Sequence, residues 1–327
     1  MINIIHIFED SRYGGPHNQC INFLSNEDNK DIFNHEVLLS DKHSSYFINK
    51  CRKHNIRYHK IKINYLSKNL KLFSKYIGFF FIDIFKIYKF FKKNNKFSIV
   101  ALSNGTTSFK SFFAAKLAKK KIIWHIHDSE SSILVKVMIY ILSPYVNYFI
   151  FSSEASKKFY INYIKNKNYK ILQTSIDFKK LNFKKINNKK FTIGMIANFN
   201  KNKDIIFFLE LIKELNKNNL NFEYKISGKV WQNQLGYYRK CINFIKINRL
   251  KNIKIDTNVK SISEFFNYID IQVLTSDTES SPTVLWEGMY MKKIILSTDV
   301  GDVKRYIKNG KNGFILKKNI DVFKKKI

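Results

Sequence analysis

The residues best suited to chemistry lie in the string 275–301, TSDTESSPTVLWEGMYMKKIILSTDVG, which sets two carboxylates, Glu279 and Glu287, eight positions apart. Between them Ser281 reads as a helix N-cap and Pro282 as the first helical residue, because the N–H that proline lacks would be orphaned there anyway. The helix so predicted carries Thr283 and Glu287 on one face, with Glu279 just ahead of its mouth. Open N–H groups at a helix start attract anions, and ionised carboxylates accept from hydroxyls. Together they suit a ligand that joins a polyol to phosphate. Taken singly, each glutamate is an ordinary loop or helix-surface residue; it is the whole string that carries the reading.

Two further groups fall where open α/β sheets bind ligands, at the C-terminal ends of strands. Strand Ile2–Phe8 opens into Glu9-Asp10-Ser11-Arg12-Tyr13-Gly14-Gly15-Pro16 and then a helix, with Gly14 and Gly15 letting the backbone approach a ligand closely. Strand Lys121–Ile126 leads to His125-Ile126-His127-Asp128, and alternation puts His125 and His127 on one face. There is no G-x-G-x-x-G, which disfavours a dinucleotide oxidoreductase.

The elements that must position these residues alternate strand and helix throughout. After the first unit come strand 35–40, helix 44–54 and strand 56–62. A long helical segment over 66–93 follows, aromatic and lysine-rich, with a break at Gly78. Strand Ser98–Leu102, a helix through Leu117, helix 131–142 and strand 146–151 come next, and Ser153 caps a further helix. Strand Lys170–Gln173 ends at Thr174-Ser175-Ile176-Asp177. Residues 178–190, rich in Lys and Asn, read as a linker between domains 1–177 and 191–327. The second domain opens with strand Phe191–Ala197 and the turn Asn198–Asp204. An amphipathic helix then places Ile205, Phe208, Leu209, Ile212 and Leu215 on one stripe. Strands Glu223–Ser227, Ile253–Ile255 and Ile269–Leu274, with helices 235–248 and 261–267 between them, deliver the opening string.

Composition narrows the function classes. Lys and Arg number 58 against 25 Asp and Glu, a formal charge of +33, yet no arginine occurs between Arg57 and Arg239. Abundant Lys, Asn, Ile and Phe fit an AT-rich coding bias; attraction to an anionic surface is the functional alternative. A basic nucleic-acid- or anionic-lipid-binding protein without catalysis is therefore the competing reading. An arginine-rich patch, an RNA-binding aromatic motif and a helix-turn-helix are all lacking, so no nucleic-acid partner is expected. The basic, aromatic face of 66–93 suits peripheral contact with an anionic membrane. Cys20, Cys51 and Cys241 have no metal-type spacing and read as reduced thiols of a cytoplasmic protein. All eight histidines lie at or before His127 without ligand spacing, so no metal site is expected. Met1 leads straight into a strand rather than a leader segment, and Val137–Phe151 is too short and too interrupted to span a bilayer.

In order along the chain, Glu279, Glu287-Gly288-Met289, Thr298-Asp299-Val300-Gly301 and Gly310-Lys311-Asn312-Gly313 resemble the signature of retaining nucleotide-sugar glycosyltransferases of family four. The resemblance implies the GT-B fold, two Rossmann-like α/β domains facing across a cleft, with the C-terminal crossover helix missing or short here. It implies a sugar moved from a UDP- or GDP-sugar to a glycan or lipid-linked acceptor, in polysaccharide or lipopolysaccharide synthesis at the inner face of the membrane. No cofactor and no metal are implied. By the same resemblance Gly14 and Gly15 face donor phosphates and acceptor, His127 sits by the donor sugar, and Glu287 takes the ribose hydroxyls. Glu279 with the N–H groups of Ser280, Ser281 and Thr283 around Pro282 holds the sugar. Lys203 matches the family's diphosphate lysine, but Asn198 stands where the family has arginine. An amide cannot neutralise a departing phosphate, so Lys201, or more weakly Arg12, is expected to supply the missing charge.

Overall fold

The computed structural model describes the whole chain except residues 26–30, 68, 175, 177, 179–180, 185–189, 218–221 and 260, and the side chain of Asn233. Ser175 and Asp177 of the strand-end motif and part of the expected linker 178–190 lie outside the described residues. Two compact units are present, Met1–Ser175 and Ile176–Ile327.

The first unit runs β1 (Ile2–Phe8), α1 (Gly15–Leu24), β2 (Phe33–Ser40), α2 (Ser45–Lys53), β3 (Tyr58–Ile61), α3 (Leu70–Gly78), α4 (Phe80–Lys93), β4 (Ile99–Leu102), α5 (Phe109–Leu117), β5 (Lys121–Ile126), α6 (Ile133–Leu142), β6 (Tyr148–Phe151), α7 (Glu154–Tyr160) and β7 (Tyr169–Ile171). Its seven strands, ordered β3-β2-β1-β4-β5-β6-β7, are all parallel. Helices on both faces explain why β1 is apolar nearly throughout: Ile4 to Phe8 are all buried, His6 among them. Ser153 caps α7 as expected, its hydroxyl accepting from the Ser156 N–H at 2.9 Å. The helical break also falls at Gly78. Helix α4 buries Ile84, Ile87 and Phe91, and with them Asp83. Asp83 accepts from the Lys110 ammonium of α5 at 2.8 Å with neither side chain exposed, and Lys110 also donates to the Asn64 carbonyl at 3.0 Å. The outer face of the same helix pair leaves Phe73, Ile77 and Phe85 exposed, with Leu70 at 83% and Phe81 at 82%.

The second unit runs β8 (Thr192–Ile196), α8 (Ile205–Lys217), β9 (Glu223–Ser227), α9 (Leu235–Ile247), β10 (Ile253–Asp256), α10 (Ile262–Tyr268), β11 (Ile271–Leu274), α11 (Thr283–Tyr290), β12 (Ile294–Thr298), α12 (Val303–Tyr306), β13 (Phe314–Leu316) and α13 (Ile320–Lys324). Its six parallel strands are ordered β10-β9-β8-β11-β12-β13. The predicted stripe of α8 is buried in full, and Phe323 of α13 packs on Phe207 with ring centroids 5.4 Å apart. Leu181, inside the stretch read as a linker, is buried with Phe265, Phe266, Ile269 and Met291. Both sheets reverse their order after the first strand, between β1 and β4 and between β8 and β11, the switch points where open α/β sheets form a binding crevice.

Candidate functional site

At the switch point of the second unit, the turn after β8 meets the turn after β11. Side chains zip them together. The Thr275 hydroxyl reaches the carbonyls of Lys203 (3.0 Å) and Asp204 (2.9 Å). The Asn202 amide donates to the Thr278 carbonyl at 2.7 Å, and the Thr278 hydroxyl donates back to Asn202 Oδ1 at 2.7 Å. Asn200 Oδ1 accepts from the Lys203 N–H at 3.1 Å and shapes the single 3-10 turn Lys201–Lys203. These bonds aim Lys203 at Glu279, with which it forms an ion pair, side chains 23% and 13% exposed. The Ser276 hydroxyl donates to the same Glu279 oxygen at 2.7 Å. Two of the residues assigned by resemblance are thus brought into direct contact from positions 76 apart in sequence.

The Glu279 loop rests on Gly301, which follows β12. Gly301 has φ +55°, and a Cβ there would collide with the carbonyls of Glu279 and Ser280. Asp302 N–H donates to the Ser280 carbonyl at 3.1 Å, and the Thr298 hydroxyl to the Ser276 carbonyl at 2.8 Å. The Asp-Val-Gly that follows the strand therefore serves as the seat of the acidic loop.

Helix α11 starts one residue later than the sequence suggests. Pro282 is the N-cap, not the first helical residue, and no side chain caps the helix. The reason lies in Ser281, whose hydroxyl accepts instead from the Trp286 indole at 3.4 Å. Among the described residues no side chain accepts from the first-turn N–H groups, Thr283 among them, which suits an incoming anion. Glu287 lies one turn further in. Burial pushes its carboxyl up to about 7, and among the described residues no hydrogen bond or ion pair offsets that cost.

Asn198 is exposed in the turn after β8, and its Oδ1 accepts from the Lys229 N–H at 3.2 Å. The close approach requires Gly228, where a Cβ would run into the Ala197 carbonyl. Lys201 is exposed, without an ion pair among the described residues. Arg12, in the first unit, is held by Asp10 through its Nε at 2.9 Å and stacks over Tyr65 at 4.6 Å. Its charge is already answered by Asp10, so of the two expected substitutes for arginine Lys201 is the uncommitted one.

In the first unit, Gly14 and Gly15 start α1 beside the β1–β4 switch point. Gly14 N–H donates to His17 Nδ1 at 3.2 Å, and His17 Nε2–H donates to the Asp10 carbonyl at 2.8 Å, which fixes the tautomer. Pro16 is the second residue of α1. His127 lies at the mouth of β5, its ring 3.9 Å from that of His125. Burial holds His127 down at about 3, while the Ser103 carbonyl partly opposes the shift. Its Nε2 is buried without a partner among the described residues, as is that of His125. A neutral ring with an open nitrogen can take a hydrogen bond but does not carry charge at neutral pH.

Sequence reasoning missed the Asn202–Thr278 lock and the Thr275 and Ser276 hydroxyls; their one signal was polarity immediately after an apolar strand. It also missed Asp128 as the partner of the Thr106 hydroxyl at 3.0 Å. Among the described residues no group of three or more His, Cys, Asp or Glu could hold a metal ion. No helix among them is long and apolar enough to cross a membrane.

Residues 177–327 match the family model described as Glycosyl transferases group 1. No curated protein matches the chain by sequence. Among solved structures the chain is similar to Anabaena Alr3699/HepE in complex with UDP and glucose, with TM-score 0.81 and 14% identity over 99% of this chain and 88% of that one. It is similar to a glycosyltransferase from Rickettsia africae, with TM-score 0.76 and 17% identity over 99% and 86%. It is also similar to S. aureus TarM in complex with Fondaparinux, alpha-GlcNAc-glycerol and UDP, with TM-score 0.75 and 13% identity over 99% and 92%. At these identities the likeness establishes the fold, which is GT-B, as the resemblance in sequence implied.

Proposed function

We propose, for a chain whose second unit is a Glycosyl transferases group 1 module, a retaining transfer of a sugar from a UDP- or GDP-sugar to a glycan or lipid-linked acceptor in cell-surface polysaccharide synthesis. The observation that carries this is the Lys203–Glu279 pair beside the uncapped mouth of α11. Solved complexes of HepE with UDP, and with UDP-glucose, favour uracil as the base.

In this reading the first-turn N–H groups of α11 and Lys203 receive the diphosphate, and Lys201 adds the charge that Asn198 lacks. As the bond between sugar and phosphate breaks, its electron pair goes to the diphosphate, the acceptor hydroxyl oxygen bonds to the anomeric carbon and its proton leaves with the departing phosphate, and these donors stabilise the charge. The proposed scheme calls on no metal or other cofactor. Glu279, freed from Lys203, accepts from sugar hydroxyls, and the N–H groups of Ser280 and Ser281 donate to the sugar oxygens. Glu287 accepts from the ribose once it is ionised. His127 offers Nε2 to a sugar hydroxyl, and Gly14 and Gly15 leave room for donor phosphate and acceptor.

The exposed Leu70, Phe73, Ile77, Phe81 and Phe85 stand among exposed Lys71, Lys75 and Lys89. That pairing of apolar bulk with cations suits peripheral contact with the anionic, cytoplasmic face of a membrane, where a lipid-linked acceptor would reside.

The test is a thermal-shift series with UDP, GDP, ADP and CDP sugars, followed by NMR of the anomeric product. Stabilisation by a nucleotide-sugar and a product with the donor's anomeric configuration are expected. No shift with any of them, or an inverted product, overturns the reading.

A further inference from the structure

The described residues of the first unit also form a cavity far from the strand mouths. It has a volume of about 540 Å³ and is lined by Lys116, Lys119, Lys120 and Lys121 with Tyr145 and Asn147. It lies where α5 ends and β5 begins, so the length of β5, roughly 20 Å at 3.3 Å per residue, separates it from His127. We propose that this cavity is a second anion site, built for a phosphate or diphosphate group.

Three observations describe it. Its walls are fixed by side-chain bonds to the backbone: Asn147 Oδ1 accepts from the Ile122 N–H at 2.8 Å, and the Asn166 amide donates to the Val146 carbonyl at 2.5 Å. Two of its four lysines have neutral partners: Lys116 lies over the Tyr145 ring of the lining at 5.2 Å, and Lys120 donates to Asn95 Oδ1 at 2.8 Å and the Asn95 carbonyl at 3.2 Å, just outside the lining. No carboxylate among the described residues pairs with any of the four lysines.

The lysines are not needed to close the helix. The carbonyls of Ala114, Ala115 and Lys116 already accept from the N–H groups of Ala118, Lys120 and Lys119 at 3.0, 2.9 and 3.0 Å. Burial holds the Lys120 ammonium below its usual range, and the positive charge of Lys92 of α4 adds to the shift. Like charges gathered in a concave, pre-formed site without a counter-ion create a potential that an anion relieves. The hollow is largely open to solvent and has room for a diphosphate and its hydration.

Isothermal titration of the full chain with inorganic pyrophosphate tests this at near-physiological salt. The variants are the triple change Lys116→Gln, Lys120→Gln and Lys121→Gln, and a charge-matched control, Lys213→Gln, Lys246→Gln and Lys251→Gln in the second unit. Saturable binding that survives Lys203→Ala, weakens about tenfold or more in the triple variant and changes less than about twofold in the control is expected. Equal weakening in triple and control means general charge attraction and overturns the proposal. A pyrophosphate site abolished by Lys203→Ala alone belongs to the donor site and overturns it too. Because the cavity and the donor site are in different units, loss of one reading leaves the other standing. The source of the phosphate is read by sedimentation with vesicles of phosphatidylcholine with or without phosphatidic acid. Loss of the acid-dependent fraction in the triple variant assigns a lipid headgroup. Unchanged sedimentation with lost pyrophosphate binding assigns a soluble phosphate compound.

Discussion

Replacing Lys203 by alanine removes the ammonium that closes on Glu279 in the donor-free chain and, in the proposed reading, turns to the diphosphate when UDP arrives. The two side chains are 23% and 13% exposed, so solvent screens their interactions only in part. A charge-assisted hydrogen bond of this kind contributes ~1.5–3 kcal/mol, which converts to about a ten- to more than a hundredfold rise in the Kd for UDP. Glu279→Gln acts in the opposite sense. It keeps the shape and the Ser276 bond but releases Lys203 from its carboxylate, so UDP binding should hold or tighten by a few-fold. The loss in that variant should appear in the extra affinity that UDP-glucose has over UDP. Calorimetric titration of both variants with UDP and UDP-glucose measures all four quantities. If Lys203→Ala binds UDP within a factor of about two of the parent chain, or if both variants lose UDP equally, the ammonium is not a phosphate ligand and the argument fails.

Gly301→Ala should destabilise the second unit by about 1–3 kcal/mol in urea unfolding, since a Cβ would meet two carbonyls at φ +55°; unchanged stability would show that the loop does not depend on this seat. Glu287 predicts two pH effects. Its folded carboxyl, raised to about 7, binds a proton that the unfolded chain has lost above its ordinary value of 4.5, so stability falls as pH rises from about 5 to 8, and Glu287→Gln should flatten that limb. UDP affinity should rise over the same window if the ionised carboxylate takes ribose hydroxyls, and a pH-independent titration would remove that role. Asn198→Arg, which restores the family's cation, should raise the transfer rate by about tenfold if missing charge limits the reaction; an unchanged or lower rate in a turnover assay would show that Lys201 already suffices.

Much of the fold could be read from the chain because parallel strands buried on both faces announce themselves as apolar runs. Strand β11, Ile-Gln-Val-Leu, is buried at every position, and the stripe of α8 needed nothing beyond its period. The start of α11 could not be placed to the residue. Ser-Pro signals a cap in either register, and the choice depended on Trp286, five residues on, taking the Ser281 hydroxyl. The meeting of Lys203 with Glu279 was accessible through the family motif alone, since no local pattern couples two turns so far apart in sequence. The bonds that hold them, Asn202 with Thr278 and Thr275 with two carbonyls, are made by neutral side chains that leave no periodic trace. His125 and His127 could be put on one face by alternation; that the Nε2 of each would be buried without a partner among the described residues depended on what packs over that face.

The Asp83–Lys110 contact between α4 and α5 has a bearing on how the first unit would behave on a charged surface. Most cations on this chain answer to the surrounding electrolyte, but a pair with neither side chain exposed is shielded from it. The helix that displays Phe81 and Phe85 is therefore bolted down by a contact that ions in the medium do not reach. If the first unit docks on acidic bilayers as proposed, rising salt should strip away that attraction while leaving the aromatic ridge in the same posture, ready to engage again on dilution.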